Sequence, residues 1–213
     1  MSKKLLLIGL ILLIALAIID LAIFRFKFYR ERPEIIQPID QKEKILSIIK
    51  TFDEKTPTSF FAAEEIIKMG EKAVPALLDL TTDPDLKIRW ACVYSLGRLG
   101  HQVDEKAKES IISALNEMAK TDQNTGLRGG AAAAIVSLGE IRGIPVLIES
   151  LDSQEAIPFM EPPQLLREFS LDVLKFYTQK DFGYDLASWR GWWQENEANL
   201  IWDKETKKFI PKP

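Results

Sequence analysis

The sequence predicts an all-α fold: a short α-solenoid of paired helices, closed by a Trp-rich C-terminal capping helix and preceded by one transmembrane helix. Three observations lead to this prediction. A long apolar segment lies near the amino terminus, an acid and an arginine recur together every 39 residues, and the apolar residues between them follow helical periods of three and four. No segment alternates apolar and polar residues as a half-buried strand does, so we expect no strands.

The composition is that of a folded protein and argues against catalysis. Of 213 residues, 46% are hydrophobic and 28% are charged, which is typical of a globular chain. Cys92 is the single cysteine and His101 the single histidine. An internal disulfide is therefore impossible, and the residues for a Cys/His zinc cluster or a catalytic triad are lacking. We expect no metal, no cofactor and no enzymatic activity, with His101 as a surface residue.

Residues 5–24 are predicted to cross a membrane, after a short tail at residues 1–4. At about 1.5 Å per residue, this apolar stretch spans about 30 Å, the thickness of a hydrocarbon core. The alternative is a cleaved signal peptide, because two lysines precede the segment and Ala15 with Ala17 provides a small-x-small cleavage pattern. Both flanks carry basic residues, so the side of the membrane on which the remaining chain lies stays undecided.

Residues 25–39 are predicted to form a basic juxtamembrane segment that ends in a proline-containing linker. Outside residues 1–32 the chain has 22 basic and 29 acidic residues, a net charge of −7. Nucleic acid is therefore not expected as a partner, because binding to phosphates requires a basic face. The basic residues at 25–32 suit anionic lipid headgroups instead.

Residues 40–178 are predicted to contain helical repeats. In each of three copies an acid lies six residues before an arginine, a small residue lies three after it, and a large aliphatic residue lies seven after it. The acid and arginine pairs are Asp83 with Arg89, Asp122 with Arg128, and Glu161 with Arg167. In an earlier copy, Ser59 takes the place of the arginine.

Each unit is predicted to be a pair of antiparallel helices. The first helix has about ten to fifteen residues, with Pro75 and Pro145 in the first turn of two of them, where a missing N–H is tolerated. The second helix begins with the acid, a turn and the arginine. One pair cannot cover its own apolar face, so the pairs must stack into a solenoid.

Two stretches resemble a HEAT repeat of the bacterial type that is also found in phycobilin lyases. They are AVPALLDLTTDPDLKIRWACVYSLGRLG at residues 73–100 and LRGGAAAAIVSLGEIRGIPVLIESL at residues 127–151. The resemblance extends over residues 59–178. It implies that the acids and arginines form a buried ladder, in which we expect Arg128 to pair with Asp122, and that the second helices line the concave side.

Residues 179–213 are predicted to form a cap and a C-terminal tail. The segment DFGYDLASWRGWW at residues 181–193 resembles the tail that follows HEAT repeats in many bacterial membrane-associated or exported proteins. Asp185 is expected to cap a helix beginning at Leu186. Trp189, Trp192 and Trp193 share one face of that helix. They are interpreted as a lid on the last repeat, with a sugar or cofactor platform as the alternative.

The exposed face of the second helices is the candidate surface for binding another protein. Taking the arginine as position zero, positions +5 and +9 point away from the buried side. A floor of small residues would then lie between an aromatic and arginine wall and a second wall on the last repeat. The candidate partner-binding residues are Tyr94, Arg98, Ala133, Ser137, Asp172 and Phe176. The loop at residues 152–161, with Phe159 and Met160, is the rival surface.

These observations favour a non-catalytic, membrane-anchored scaffold for protein–protein interaction. Two alternatives stay open. The phycobilin-lyase resemblance admits a chromophore or cofactor lyase, and the repeats admit a purely structural subunit of a membrane complex.

Overall fold

A computed structural model of the chain describes residues 40–51, 58–157 and 163–213. Several predictions lie outside the described residues: the membrane-spanning segment at 5–24, the juxtamembrane segment at 25–39, and Phe159, Met160 and Glu161. In the part of the chain that is described, no helix is both long and apolar enough to cross a bilayer.

The described residues are mostly helical, as predicted. The α-helices are α1 (Gln41–Thr51), α2 (Thr58–Ile67), α3 (Val74–Asp79), α4 (Leu86–Leu99), α5 (Glu105–Thr121), α6 (Thr125–Ser137), α7 (Ile144–Glu149), α8 (Leu166–Thr178) and α9 (Leu186–Asn196). Short 3₁₀ turns lie at Gly70–Ala73, Ile141–Gly143, Ser150–Asp152 and Glu197–Asn199.

The helices form two layers, which is the arrangement expected of stacked helix pairs. The second helices of the pairs pack side by side, α4 between α2 and α6, and α6 against α8. The first helices form the other layer, where α3 contacts both α1 and α5. Each second helix also packs against the first helix of its own pair, most extensively α6 against α5.

Side chains in the turns between helices determine where the middle helices begin. Asp85 accepts a hydrogen bond from the backbone N–H of Lys87 at the start of α4. Asp104 and Asn124 cap α5 and α6 in the same way. Such caps satisfy backbone N–H groups that have no partner within the helix.

Two of the first helices are shorter than predicted. Helices α3 and α7 have six residues each, with a proline in the first turn, rather than ten to fifteen. Each continues from a 3₁₀ turn, Gly70–Ala73 before α3 and Ile141–Gly143 before α7. The apolar period of Ile144, Leu147, Ile148 and Leu151 extends from α7 into the 3₁₀ turn that follows it.

The core follows the repeat. Leu96, Ile135 and Leu174, seven residues after the three arginines, are at most 1% exposed. Cys92 and its two counterparts three residues after the arginines are also fully buried. The small residue at this place lets the stacked pairs approach closely, and the large aliphatic residue fills the space between the layers.

The carboxyl terminus corrects the prediction of an entirely helical chain. Strands β1 (Leu200–Asp203) and β2 (Lys208–Pro211) pair as an antiparallel hairpin, with Trp202 opposite Phe209. Phe209 is buried, and β2 packs against α8. Each strand has only four residues, which is too short for alternation to stand out in the sequence.

Helix α9 covers the last repeat by packing against α7. Asp185 caps it as predicted, accepting hydrogen bonds from the N–H groups of Ala187 and Ser188. Trp189 is fully buried, and its Nε1 donates to the carbonyl of Gly183 at 2.8 Å. Because Trp192 is buried as well, these two rings offer no open face of the kind that a sugar platform needs.

Candidate partner-binding groove

A cavity of about 380 Å³ opens between the second helices α4, α6 and α8. Its walls are almost entirely apolar, and its aromatic side chains are Trp90, Tyr94, Phe169 and Tyr177. Small residues of α6 form the floor, and polar side chains stand only at the rim. We refer to this cavity as the groove.

The structure brings four of the six candidate partner-binding residues to the groove. Tyr94 and Arg98 line it from α4, and Ala133 and Ser137 line it from α6. Their spacing of four residues on each helix explains why both members of each pair face the same way.

Asp172 and Phe176 do not line the groove, so the predicted second wall is wrong. Helix α8 presents Phe169 and Tyr177 instead. Helix α8 also packs against the hairpin strand β2. Phe176 remains 56% exposed beside the hairpin, with the Nζ of Lys208 at 2.9 Å from its ring centroid.

The floor owes its depth to a close approach of α4 and α6. A Cβ atom at Gly130 would lie 2.8 Å from the Trp90 ring, which is closer than real Cβ atoms come to other atoms. Glycine at this place lets the ring lie directly over the α6 backbone. Ala133 and Ala134 then leave space above the floor, because their side chains end at Cβ.

The α4 side of the rim is held by a small polar cluster. Arg98 donates to Glu64 Oε1 at 3.3 Å and to the Tyr94 hydroxyl at 3.2 Å. The side chains of Arg98 and Glu64 are 52% and 43% exposed, so their ion pair adds little to stability. Its effect is to orient the guanidinium at the mouth while leaving half of it open to solvent.

The opposite part of the rim contains residues that the sequence analysis did not assign to the site. The Nε2 of His101 lies 3.5 Å from Ser137 Oγ. Burial raises the pKa of the Tyr177 hydroxyl, and a hydrogen bond with Ser137 partly offsets that effect. His101 is exposed, as predicted. Phe169 and Tyr177 are eight residues apart, so they lie on the same side of α8. This spacing could have indicated from the sequence that both rings line the groove.

At the far end of the second helices, an ion pair joins two repeats. Arg89 Nε donates to Asp122 Oδ2 at 2.7 Å, and its second terminal nitrogen donates to Oδ1 at 3.0 Å. The side chains are 14% and 6% exposed. The hydrogen bond to Asp122 is the main cause that raises the pKa of Arg89. The same guanidinium also donates to the carbonyls of Asp83 and Pro84, closing its own turn.

The arginine of one repeat therefore pairs with the acid of the next repeat, and the expected Arg128–Asp122 ion pair is not formed. Arg128 donates instead to the backbone carbonyl of Asp122 at 2.7 Å and to Thr125 Oγ1 at 3.1 Å. The acid and arginine of one copy are joined through the backbone, because the arginine closes the turn that the acid begins.

The two ends of the ladder differ from its middle. Asp83 accepts a hydrogen bond from the backbone N–H of Asp85, and the preceding copy has Ser59 where an arginine partner would stand. The guanidinium of Arg167 lies over the Tyr184 ring, 5.0 Å from its centroid. Its Nε is buried without a hydrogen-bond partner among the described residues.

Within the described ranges, no group of three or more His, Cys, Asp or Glu side chains is placed to hold a metal ion. The thiol of Cys92 is buried in α4, and burial raises its pKa. A thiol in this state is a packing group, since the reactive form of cysteine is the thiolate.

Residues 73–103, which include α3, α4 and the turn that follows, match the family model of the HEAT repeat. These residues form a HEAT repeat. HEAT repeats commonly mediate protein–protein interaction, because stacked helix pairs present an extended surface. No curated protein matches the chain.

Proposed function

We propose that this HEAT-repeat chain is a non-catalytic scaffold that binds another protein through the groove and is attached to a membrane by residues 5–24. The observation that supports this proposal is the groove, which is an apolar cavity with aromatic walls. It lies between second helices and is bordered by polar groups. We also propose that the repeat is of the bacterial type found in phycobilin lyases, because residues 73–100 resemble that type. This proposal does not include chromophore chemistry.

The groove has the size and lining to receive one large side chain of a partner. Its volume of about 380 Å³ lies at the small end of the range for ligand pockets, about 300–1,000 Å³. Burying one large apolar side chain contributes about 1.5–3 kcal/mol. Tyrosine and arginine at the rim are the residue types that most often dominate binding energy at interfaces.

Site-specific photo-crosslinking tests the protein-binding part of the proposal. Benzoylphenylalanine at Phe169 replaces one aromatic side chain in the groove by another, and at Lys106 it lies on the exposed side of α5. In cells that produce the full chain, we expect a discrete protein adduct from Phe169 and none from Lys106. No adduct from Phe169, the same adduct from both positions, or a bound chromophore in place of a protein would contradict the proposal.

Alkaline carbonate extraction tests the membrane attachment. If residues 5–24 span the bilayer uncut, the full chain stays in the membrane pellet and keeps its first residues. Recovery of a soluble form that begins near Ile18 would show that the segment is a cleaved signal peptide.

A further inference from the structure

The groove changes in character along its length, from apolar to polar. Trp90 and Phe169 line it from the first halves of α4 and α8. Ser137 and Tyr177 line it from the last turns of α6 and α8, and His101 lines it just after α4 ends. The eight residues from Phe169 to Tyr177 cover about 12 Å at about 1.5 Å per residue. A partner side chain that fills the groove, which we call the anchor, therefore meets both ends.

The polar end offers hydrogen-bond acceptors. Ser137 Oγ donates its only proton to the carbonyl of Ala134 at 2.7 Å, so its lone pairs remain for other donors. Ser137 is also the hydrogen-bonding neighbour of the Tyr177 hydroxyl. Because the serine proton is already used, Tyr177 is the donor of this pair and keeps its own lone pairs. His101 Nε2 lies 3.5 Å from Ser137 Oγ, which is longer than an ordinary hydrogen bond.

The electrostatics of this end favour a neutral donor over a carboxylate. All three second helices end here, and the last carbonyls of a helix carry partial negative charge. Burial is the main cause that lowers the pKa of His101, so the ring is uncharged at neutral pH and offers no ion pair. Arg98 stands at the same rim, but it donates to Glu64 and to the Tyr94 hydroxyl. A carboxylate placed there would meet Glu64 as well.

We propose that the partner protein inserts a tyrosine or tryptophan side chain as its anchor. The ring packs against the apolar walls at Trp90 and Phe169, and the O–H or N–H at its far end donates to Ser137 Oγ or to the Tyr177 hydroxyl oxygen. This inference rests on the proposed function and names the chemistry of the anchor. Burial of the ring supplies most of the affinity, and the donor supplies selectivity.

Other large side chains satisfy only one end of the groove. Phenylalanine or leucine would fill the apolar part but would leave the acceptors at the polar end without a donor. Lysine or arginine would supply a donor, but either would place a second positive charge beside Arg98 and lose its water in an apolar cavity. Tyrosine and tryptophan combine a large apolar ring with one neutral donor.

Selection from a library of phage-displayed 12-residue peptides tests this inference on the full chain in detergent micelles. We expect the selected peptides to share a tyrosine or a tryptophan, and to lose binding to the variant Ala133→Leu, in which the groove is filled. A synthetic peptide of the consensus sequence is then compared with an analogue whose anchor has no donor. In that analogue phenylalanine replaces tyrosine, or naphthylalanine replaces tryptophan.

Both peptides are titrated against the unaltered chain and against Ser137→Ala and Tyr177→Phe, made singly and together. The unaltered chain should bind the analogue about three- to tenfold more weakly than the consensus peptide. The double variant should bind the two peptides within about twofold of each other, because the acceptors are gone. Ser110→Ala is the matched control. Ser110 is exposed on α5 and donates to the carbonyl of Lys106, so its removal should leave the full difference between the peptides.

The outcomes separate this inference from the proposed function. Peptides that Ala133→Leu excludes but whose anchor is aliphatic, phenylalanine, acidic or basic would overturn the inference and leave the groove function standing. So would an analogue that binds as tightly as the consensus peptide, or a difference that persists in the double variant. Peptides that match this chain's own sequence would assign the groove to a second copy and overturn the inference too. If no peptide is sensitive to Ala133→Leu, both the inference and the proposed function fail.

Discussion

The middle repeats and the C-terminal cap are stabilised in different ways. From α3 to α6, the same kinds of contact recur: a capping side chain, an arginine that closes its turn, a small residue and a large aliphatic one. In the cap, each contact occurs once, such as the Trp189 bond to Gly183 and the Trp202 ring against Gly139. Each middle repeat packs against neighbours through the same set of contacts, whereas the cap covers the last repeat with contacts of its own.

The same contrast separates two arginine–carboxylate pairs. Arg89 and Asp122 join two repeats with side chains that are 14% and 6% exposed. Arg190 of the cap pairs with Glu149 of α7, but these side chains are 52% and 59% exposed. Only the buried pair leaves a desolvated charge behind when one partner is removed, so the two arginines should differ sharply in their contribution to stability.

The largest expected effect is in the cap. Trp189→Ala removes a fully buried indole and its hydrogen bond, and should lower the free energy of unfolding by about 3–5 kcal/mol. Trp193→Ala, on the same helix but only partly buried, should cost clearly less. Thermal denaturation of the full chain measures both. Equal melting temperatures for the two variants would show that the cap is not anchored through Trp189.

Next is the ion pair between the repeats. Arg89→Ala leaves the buried Asp122 carboxylate without its guanidinium and should lower the free energy of unfolding by about 3 kcal/mol. Arg190→Ala is the matched control and should leave the melting temperature nearly unchanged. If both variants melt at the same temperature, the contrast between buried and exposed pairs does not hold.

A smaller effect is expected where the hairpin meets the repeats. Gly139 has a φ of +89°, and a Cβ atom there would lie 2.8 Å from the Trp202 ring. Gly139→Ala should therefore cost about 1–3 kcal/mol. Gly191→Ala is the control with the opposite sign, because Gly191 lies within α9 with open space around it. Alanine should stabilise that helix by about 0.5–1 kcal/mol. Destabilisation by both changes would contradict this account of Gly139.

The sequence was sufficient for the repeats because their signals are redundant. The buried positions of Leu96, Ile135 and Leu174 follow from a pattern present three times, so one irregular copy does not hide it. The hairpin has no repeated signal in the sequence. Its strands have four residues each, and Trp202 and Gly139, which are in contact, lie far apart in the sequence with no pattern that connects them.

Periodicity also leaves the pairing of the ladder ambiguous. Asp122 lies six residues before Arg128 and 33 residues after Arg89, and a strict repeat allows an arginine to pair with the acid at either spacing. The structure shows which pairing forms. Arg89 bonds the carboxylate of Asp122 in the next repeat, whereas Arg128 bonds the backbone carbonyl of Asp122 in its own repeat. The residues that α8 contributes to the groove were missed for a similar reason: the repeat gives the face of an average second helix, whereas α8 also packs against a strand.

Filling the groove tests the central claim most directly. Ala133→Leu places three additional carbons in the cavity, and Ala107→Leu makes the same change on α5, away from it. For the protein that crosslinks from Phe169, we expect Ala133→Leu to weaken binding by more than about tenfold, or about 1.4 kcal/mol, with an unchanged melting temperature. Ala107→Leu, and Phe159→Ser in the rival loop, should leave the affinity as it is. An affinity that Ala133→Leu does not change would contradict the claim that the partner binds in the groove.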